Sequence, residues 1–405
     1  MIFEEEISLL IRLFKIFILT SALISILVSC TDDITSIGKD LLPNKDIIDI
    51  LYINSEEGAF EQQSKYYTDS LSLTTSSMLL LGKHDNVEST MLMKFLIFLP
   101  DSIKDAVNDG TLQVLNSTME IVPVYTYADK SNFFDFNVHK INSSWNSLTF
   151  DKDSLENLNY DDIDLSSNRS YTDTLISFDF DKELTQEWLN YSAADDQANN
   201  NNGIYFNYEA SSDKVVGFPA ISYGEDNKLA RLKIVVDVPG NFTDTVEVEV
   251  TSDVHVVLGD LPVGNQENIF IQGGIVVRAN LMMDVSQIPD NTIINQAILK
   301  LSYDESESLI GTKTSDSLGV AALLDYNANE LDETLPPTLM KREGSVYTGD
   351  ITRFVQSWVS NQENNGLQIF LVNEIITVNK VALKGASPAD PNLKPYLEII
   401  YTSKR

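Results

Sequence analysis

One unusual segment occurs twice in this chain, and the repetition limits what the chain can fold into. The first copy reads Leu184-Thr185-Gln186-Glu187-Trp188-Leu189; the second reads Ile351-Thr352-Arg353-Phe354-Val355-Gln356-Ser357-Trp358-Val359. A polar loop follows each, then Asn-Asn-Gly and an apolar run: Asn201-Asn202-Gly203-Ile204-Tyr205-Phe206 and Asn364-Asn365-Gly366-Leu367-Gln368-Ile369. Each copy closes on a strand-like run, 229–236 and 397–401. Such repetition implies two copies of one folding unit. Leu184, Trp188 and Leu189 fall at helical spacing, which predicts one short helix. Trp188 and Trp358 recur at matching steps, which predicts core positions.

The remaining pattern has mostly period two. Residues 70–74 and 246–250 alternate as half-buried strands should. The run 91–99 is dense enough for a strand buried on both faces. Residues 274–283 match it, with Arg278 standing where Lys94 stands. Residues 112–127 read as two strands around Asn116, the acidic stretch 151–168 as a loop, and Val238-Pro239-Gly240-Asn241 as a linker or turn. Short strands bounded by turn residues predict an all-β chain of two tandem β-sandwich domains, jelly-roll-like, over 47–240 and 241–405.

The start of the chain reads as an address. Apolar residues 16–28 follow Arg12 and Lys15 and end in Leu27-Val28-Ser29-Cys30. Thirteen residues are too few for a comfortable membrane span but suit a signal-peptide core. The edge of that core matches a bacterial lipobox, so 1–29 is expected to be a lipoprotein signal peptide. Cys30, the only cysteine, is the expected lipidation site, and 30–46 a tether. Two acyl chains anchor stably without a spanning helix.

Thr31-Asp32-Asp33, Ser36-Ile37-Gly38 and Leu41-Leu42-Pro43 resemble the opening of the Bacteroidota lipoproteins of the domain-of-unknown-function family 4270. Leu81-Gly82-Lys83-His84-Asp85-Asn86 resembles a later segment of that family, with His84 in an aromatic's place. The resemblance implies an outer-membrane, lipid-anchored protein facing the cell exterior, with no activity attached. Ile294-Asn295-Gln296-Ala297-Ile298-Leu299-Lys300-Leu301, the Trp358 step and Pro395-Tyr396-Leu397 resemble the DNRLRE domain, akin to carbohydrate-binding module family 96. That likeness implies a jelly-roll module at the cell surface, with polysaccharide as a ligand of some members.

A formal net charge of −32 repels nucleic-acid phosphates, so no nucleic-acid partner is expected. The three histidines, His84, His139 and His255, show no metal-ligand spacing, and no hydrolase elbow, phosphate loop or dinucleotide fingerprint occurs. No enzyme is expected. Trp145, Tyr205 and Tyr208 are candidate glycan-stacking residues, because the apolar face of a pyranose ring desolvates well against a π surface. Asp161, Asp162 and Asp164 are candidate calcium ligands through their oxygens, and calcium is the one candidate cofactor. Six Asp-Ser/Thr-aliphatic steps, beginning at Asp69, Asp101, Asp153, Asp173, Asp244 and Asp316, have the form of a Bacteroidota O-glycosylation acceptor. The composite expectation is a non-catalytic binding or adhesion module for a polysaccharide or an envelope protein. The alternatives are a scaffold subunit of an outer-membrane complex and, less favoured, a glycan-active hydrolase.

Overall fold

A computed structural model describes residues 48–56, 60–290, 292–360 and 363–404. Cys30, the leader and the tether lie outside them. The chain forms two compact units: Tyr52–Ile400, which holds both sheets discussed below, and 1–51 with 401–405. Of the smaller unit, residues 48–51 and 401–404 are described.

The fold is all-β, with two large antiparallel sheets. The first half of the chain carries β1 (Ile48–Asn54), β2 (Gln62–Thr68), β3 (Met78–His84), β4 (Val87–Phe95), β5 (Gln113–Ile121), β6 (Tyr125–Tyr127), β7 (Phe136–Lys140), β8 (Ser166–Tyr171), β9 (Ile176–Phe180), β10 (Ile204–Tyr208), β11 (Lys214–Pro219) and β12 (Arg231–Val238). The second carries β13 (Phe242–Gly259), β14 (Asn268–Gln272), β15 (Val277–Met283), β16 (Ile293–Ser302), β17 (Ser317–Asp325), β18 (Glu330–Leu331), β19 (Thr338–Glu343), β20 (Val346–Asp350), β21 (Leu367–Leu371), β22 (Lys380–Lys384) and β23 (Tyr396–Lys404). Among the described residues five α-helices interrupt them: α1 (Asp101–Asn108), α2 (Lys152–Glu156), α3 (Lys182–Ala193), α4 (Gln197–Asn200) and α5 (Thr352–Val359).

The first sheet runs β6-β11-β3-β4-β13-β12-β5-β9-β8, and β10 and β7 branch from β4. It folds over on itself through β13. That strand pairs with β12 over Phe242–Glu249, shifts register between Val250 and Ser252, and then pairs with β4 as far as Gly259. A bulge of this kind bends a strand and increases its twist. The two layers so formed face each other across one core. Met119, Phe178, Leu232 and Ile234 come from one side, and Met93, Phe95, Phe136 and Phe206 from the other. The helix α3 plugs one end. Asp181 caps it by accepting from the Leu184 amide at 2.7 Å, and Trp188 stacks on Phe95 at 6.5 Å between ring centres. The second sheet repeats the plan as β16-β20-β19-β17-β21-β15-β14-β22, with Phe354, Val355 and Trp358 of α5 buried.

The repeat is set by a backbone clamp that recurs in both halves. Asn201 donates through Nδ2 to the Phe95 carbonyl at 2.6 Å, and its Oδ1 accepts from the Gly203 amide at 3.0 Å. Asn364 does the same to Met283 at 2.7 Å and Gly366 at 3.1 Å. Both glycines have left-handed backbones, φ +80° and +81°. The clamp makes Phe95 equivalent to Met283 and Met93 to Leu281. It therefore corrects one sequence match: Lys94 corresponds to Met282, and Arg278 to Thr90.

Other expectations also shift. Residues 70–74 form no strand. Their hydroxyls and the neighbouring Asp69 satisfy the local backbone instead, with the Ser70 amide on Asp69 Oδ1 at 2.8 Å and Ser72 Oγ on Thr74 Oγ1 at 2.7 Å. The strand β5 passes through Asn116 without a break; the register irregularity is at its neighbour Leu115, which has no partner opposite Val235 and Val236. The Val238–Asn241 stretch is the turn of the β12–β13 hairpin, with the Asn241 amide on the Val238 carbonyl. The change of sheet therefore comes after Gly259 rather than at Gly240, and β2 joins the second sheet by pairing with β15.

A Cβ on Gly203 would lie 2.2 Å from the Met93 carbonyl oxygen, and one on Gly366 2.6 Å from that of Leu281, whereas one on Gly240 (φ +76°) meets nothing within 4 Å. Urea unfolding should therefore show Gly240→Ala losing about 1 kcal/mol for its backbone alone, and Gly203→Ala and Gly366→Ala clearly more, about 2–4 kcal/mol each. Equal losses at all three positions would mean that the clamp is not tight.

Candidate binding cleft

A cleft of about 980 Å³ follows the edge of β13 where β12 has ended. Among the described residues no strand pairs with that edge beyond Val250. Residues 69–74 form one wall, the β3–β4 turn and residues 149–152 the others, and 274–276 the floor toward the second sheet. The loop 69–74 is moored at its start. Arg278 Nη1 donates to Asp69 Oδ2 at 2.8 Å, and Arg278 Nη2 to Glu374 Oε1 at 2.6 Å. The far end is held by Ser76, whose Oγ donates to the Ile375 carbonyl at 2.8 Å. Both moorings come from the second repeat, so the cleft is a product of both halves of the unit.

The lining is rich in groups that bind hydroxyls. Ser70, Ser72, Thr74 and Thr149 supply hydroxyls, and Lys83 and Lys152 supply ammonium donors. Five carboxylates line the cleft, and four are already engaged: Asp69 with Arg278, Asp85 with Lys380 at 2.5 Å, Glu88 with Lys83 at 3.5 Å and Tyr208 at 2.5 Å, and Asp151 with the Ser154 amide at 2.8 Å; the fifth, Asp260, is exposed. The bonds from Ser154 hold Asp151 below the usual carboxylate range. Each carboxylate keeps further lone pairs for a ligand donor. His255 also borders the cleft, but its ring is 1% exposed, and neither nitrogen has a partner among the described residues. Burial pushes it down to about 3. A base so weak and so enclosed is poorly placed for proton transfer at neutral pH.

The aromatic candidates sit elsewhere. Tyr205 is 5% exposed and joins Leu92, Phe150, Val254 and Val256 in a cluster on the outer face of the first sheet. Trp145 packs half-buried on that cluster, edge-on to Phe150, and donates through Nε1 to the Asn202 carbonyl at 2.7 Å. The loop 142–165 covers this face with Leu155, Leu158 and Tyr160, so Tyr205 offers no stacking surface and Trp145 pins the cover. Tyr208 is half-buried, with Glu88 on its hydroxyl and Lys83 6.0 Å from its ring centre.

The candidate calcium ligands do not converge either. Asp161 accepts from Asn142 Nδ2 at 2.6 Å, Asp164 pairs with Arg169 and accepts from Ser166 and Val138, and Asp162 is exposed. Among the described residues no group of three His, Cys, Asp or Glu could hold a metal. Of the six Asp-Ser/Thr steps, Ser70, Ser102, Thr174 and Thr245 are exposed, and Ser154 and Ser317 half-buried.

A second hollow of about 550 Å³ gathers Lys130, Lys214 and Lys313 around Phe134, Tyr171 and Asp173, against the sign of the chain as a whole. Burial lowers the affinity of Lys214 for its proton. No family model, no curated protein and no solved structure matches this chain.

The histidine makes a pH prediction. Its folded value lies below its ordinary 6.5, so the unfolded chain takes up the proton first, and stability falls as pH drops from 6.5 toward about 3. The slope is at most about 1.4 kcal/mol per pH unit. Asp253 acts oppositely, because burial raises it to about 6 and its protonation below that favours the fold. Comparing thermal unfolding of the native chain and His255→Leu from pH 7 to 4 isolates the first effect. The variant should lose less stability on acidification; parallel curves would show that His255 is not buried neutral.

Proposed function

We propose that this chain is the folded part of an exported, lipid-anchored surface protein and acts as a non-catalytic binding module. The ligand class we assign is an uncharged, hydroxyl-rich glycan, held in the cleft along β13. The single observation that carries this reading is the lining itself. Serine and threonine hydroxyls, lysines and carboxylates with spare lone pairs surround one open groove, and Phe150 lies beside it. Sugar hydroxyls are both donors and acceptors, so such a mixed lining can satisfy them. The address rests on the Cys30 segment. No helix among the described residues is long and apolar enough to cross a membrane, which leaves a lipid anchor open.

Affinity electrophoresis against neutral and acidic polysaccharides, with and without calcium, tests the assignment. A neutral glycan should retard the protein independently of calcium. Ser72→Trp places an indole in the groove from an exposed loop position, so it should abolish retardation while leaving the melting temperature unchanged. Trp145→Ala should destabilise the cover by about 2–4 kcal/mol without a specific loss of affinity at temperatures where it stays folded. Retardation by acidic polymers alone would move the site to the lysine-lined hollow. Retardation by none would sink the glycan reading.

A further inference from the structure

In chain order β1 and β2 precede β3–β12, and β13 precedes β14–β23. The structure crosses β2 and β13. The strand β13 of the second repeat lies beside β4 of the first, with His255 opposite Met91. The strand β2 of the first lies beside β15 of the second, with Tyr66 opposite Ala279. The Asn-x-Gly clamp makes Met91 and Ala279 equivalent, so His255 and Tyr66 occupy the same position in two copies of one slot. Each slot is filled by a strand that the other repeat supplies.

The slot beside β15 cannot stay empty. Val277, Ala279, Leu281 and Met283 are buried, and loss of β2 would leave a row of unpaired backbone groups beside them. Yet its occupant is held lightly. No residue of β2, Gln62-Gln63-Ser64-Lys65-Tyr66-Tyr67-Thr68, is fully buried. What fixes β2 is its ladder, the packing of Tyr66 edge-on to Phe270 and against the patch of Val277 and Val378, and a set of polar contacts. Gln368 Nε2 donates to the Tyr67 hydroxyl at 2.6 Å, the Tyr66 hydroxyl to the Pro262 carbonyl at 3.1 Å, and the Ala386 amide to Ser64 Oγ at 2.9 Å. Lys65 lies 4.9 Å from the centre of the Tyr326 ring. These contacts read the side chains of this strand, so an arbitrary extended peptide does not reproduce them.

We propose that β2 is a transferable strand, and that the slot beside β15 accepts the β2 of a second copy of this chain. Every contact in the slot can be remade identically by the second copy, and the residues 69–77 that join β2 to the first sheet serve as the hinge once the Ser76 bond to Ile375 is released. Exchange of an identical element is a low-cost route to linked copies. Within one chain the strand competes at an effective concentration of about millimolar. Linking is therefore favoured where copies are crowded, as they are when refolded at high concentration or held together on one surface.

The test uses two full-length chains, both carrying Cys30→Ser, one with Gln63→Cys and the other with Met282→Cys. These positions are direct partners across the ladder. The chains are unfolded, mixed, refolded over a range of concentrations and then oxidised. The expected result is a disulfide-linked pair of unlike chains whose share rises with concentration. Gln63→Cys mixed with Leu324→Cys, an exposed position on β17, should give at least tenfold less. A single chain carrying both Gln63→Cys and Met282→Cys shows that the variants fold and that the geometry permits the bond. If that chain closes on itself while the mixture stays unlinked at every concentration, or links no better than the Leu324→Cys control, β2 is not transferable.

Discussion

The fold depends on two places where a glycine lets one strand lie against another with no room for a side chain. At Gly203 the chain comes within van der Waals distance of the Met93 carbonyl, and at Gly366 it does so at Leu281. The asparagine two residues earlier fixes the approach by bonding the strand and the glycine together. Register follows at once, with Ile204 opposite Met93 and Leu367 opposite Leu281. A slip of one residue would turn every inward side chain outward. The helix that precedes each clamp is thereby placed at the end of its sandwich, where Trp188 and Trp358 are buried. The two repeats then join through a shared apolar patch that includes Tyr125, Val215, Val277 and Val378, and through the bond from the Tyr125 hydroxyl to Asn379 at 2.8 Å.

Much of this was legible in the residues. Alternation gave the strands, the doubled Trp and Asn-Asn-Gly steps gave the repeat, and the spacing of Leu184, Trp188 and Leu189 gave a helix. Alternation reports which face of a strand is buried; it does not report what lies beside it. That is why the crossing of β2 and β13 was hidden, and why the boundary expected at Gly240 fell on a hairpin turn. The Lys94–Arg278 match failed for a related reason. A shared charge is a weak marker of register, whereas the Asn-x-Gly clamp, present in the same sequence, is a strong one.

The cleft was harder to foresee than the fold. Its walls come from 69–74, 85–88, 149–152, 255–260 and 274–276, segments that no periodic pattern brings together. Residues 70–74 alternate like a strand but are rich in hydroxyls that bond locally, and that chemistry released them to form a wall. Aromatic content misled in the other direction. Trp145 and Tyr205 have the composition of a sugar platform and the environment of a covered sheet face. The signal that could have separated the two readings was the apolar set Phe150, Leu155 and Leu158 within an otherwise acidic stretch: a loop with such residues has a surface of its own to bury.

The position of β2 has a mechanical consequence. The cleft wall at 69–74 begins where β2 ends. A pull that draws the wall away from the start of β2 runs lengthwise along β2. The bonds of its ladder with β15 lie across that direction, so they share the load instead of parting one after another. The strand that such a pull loads is one with no fully buried residue.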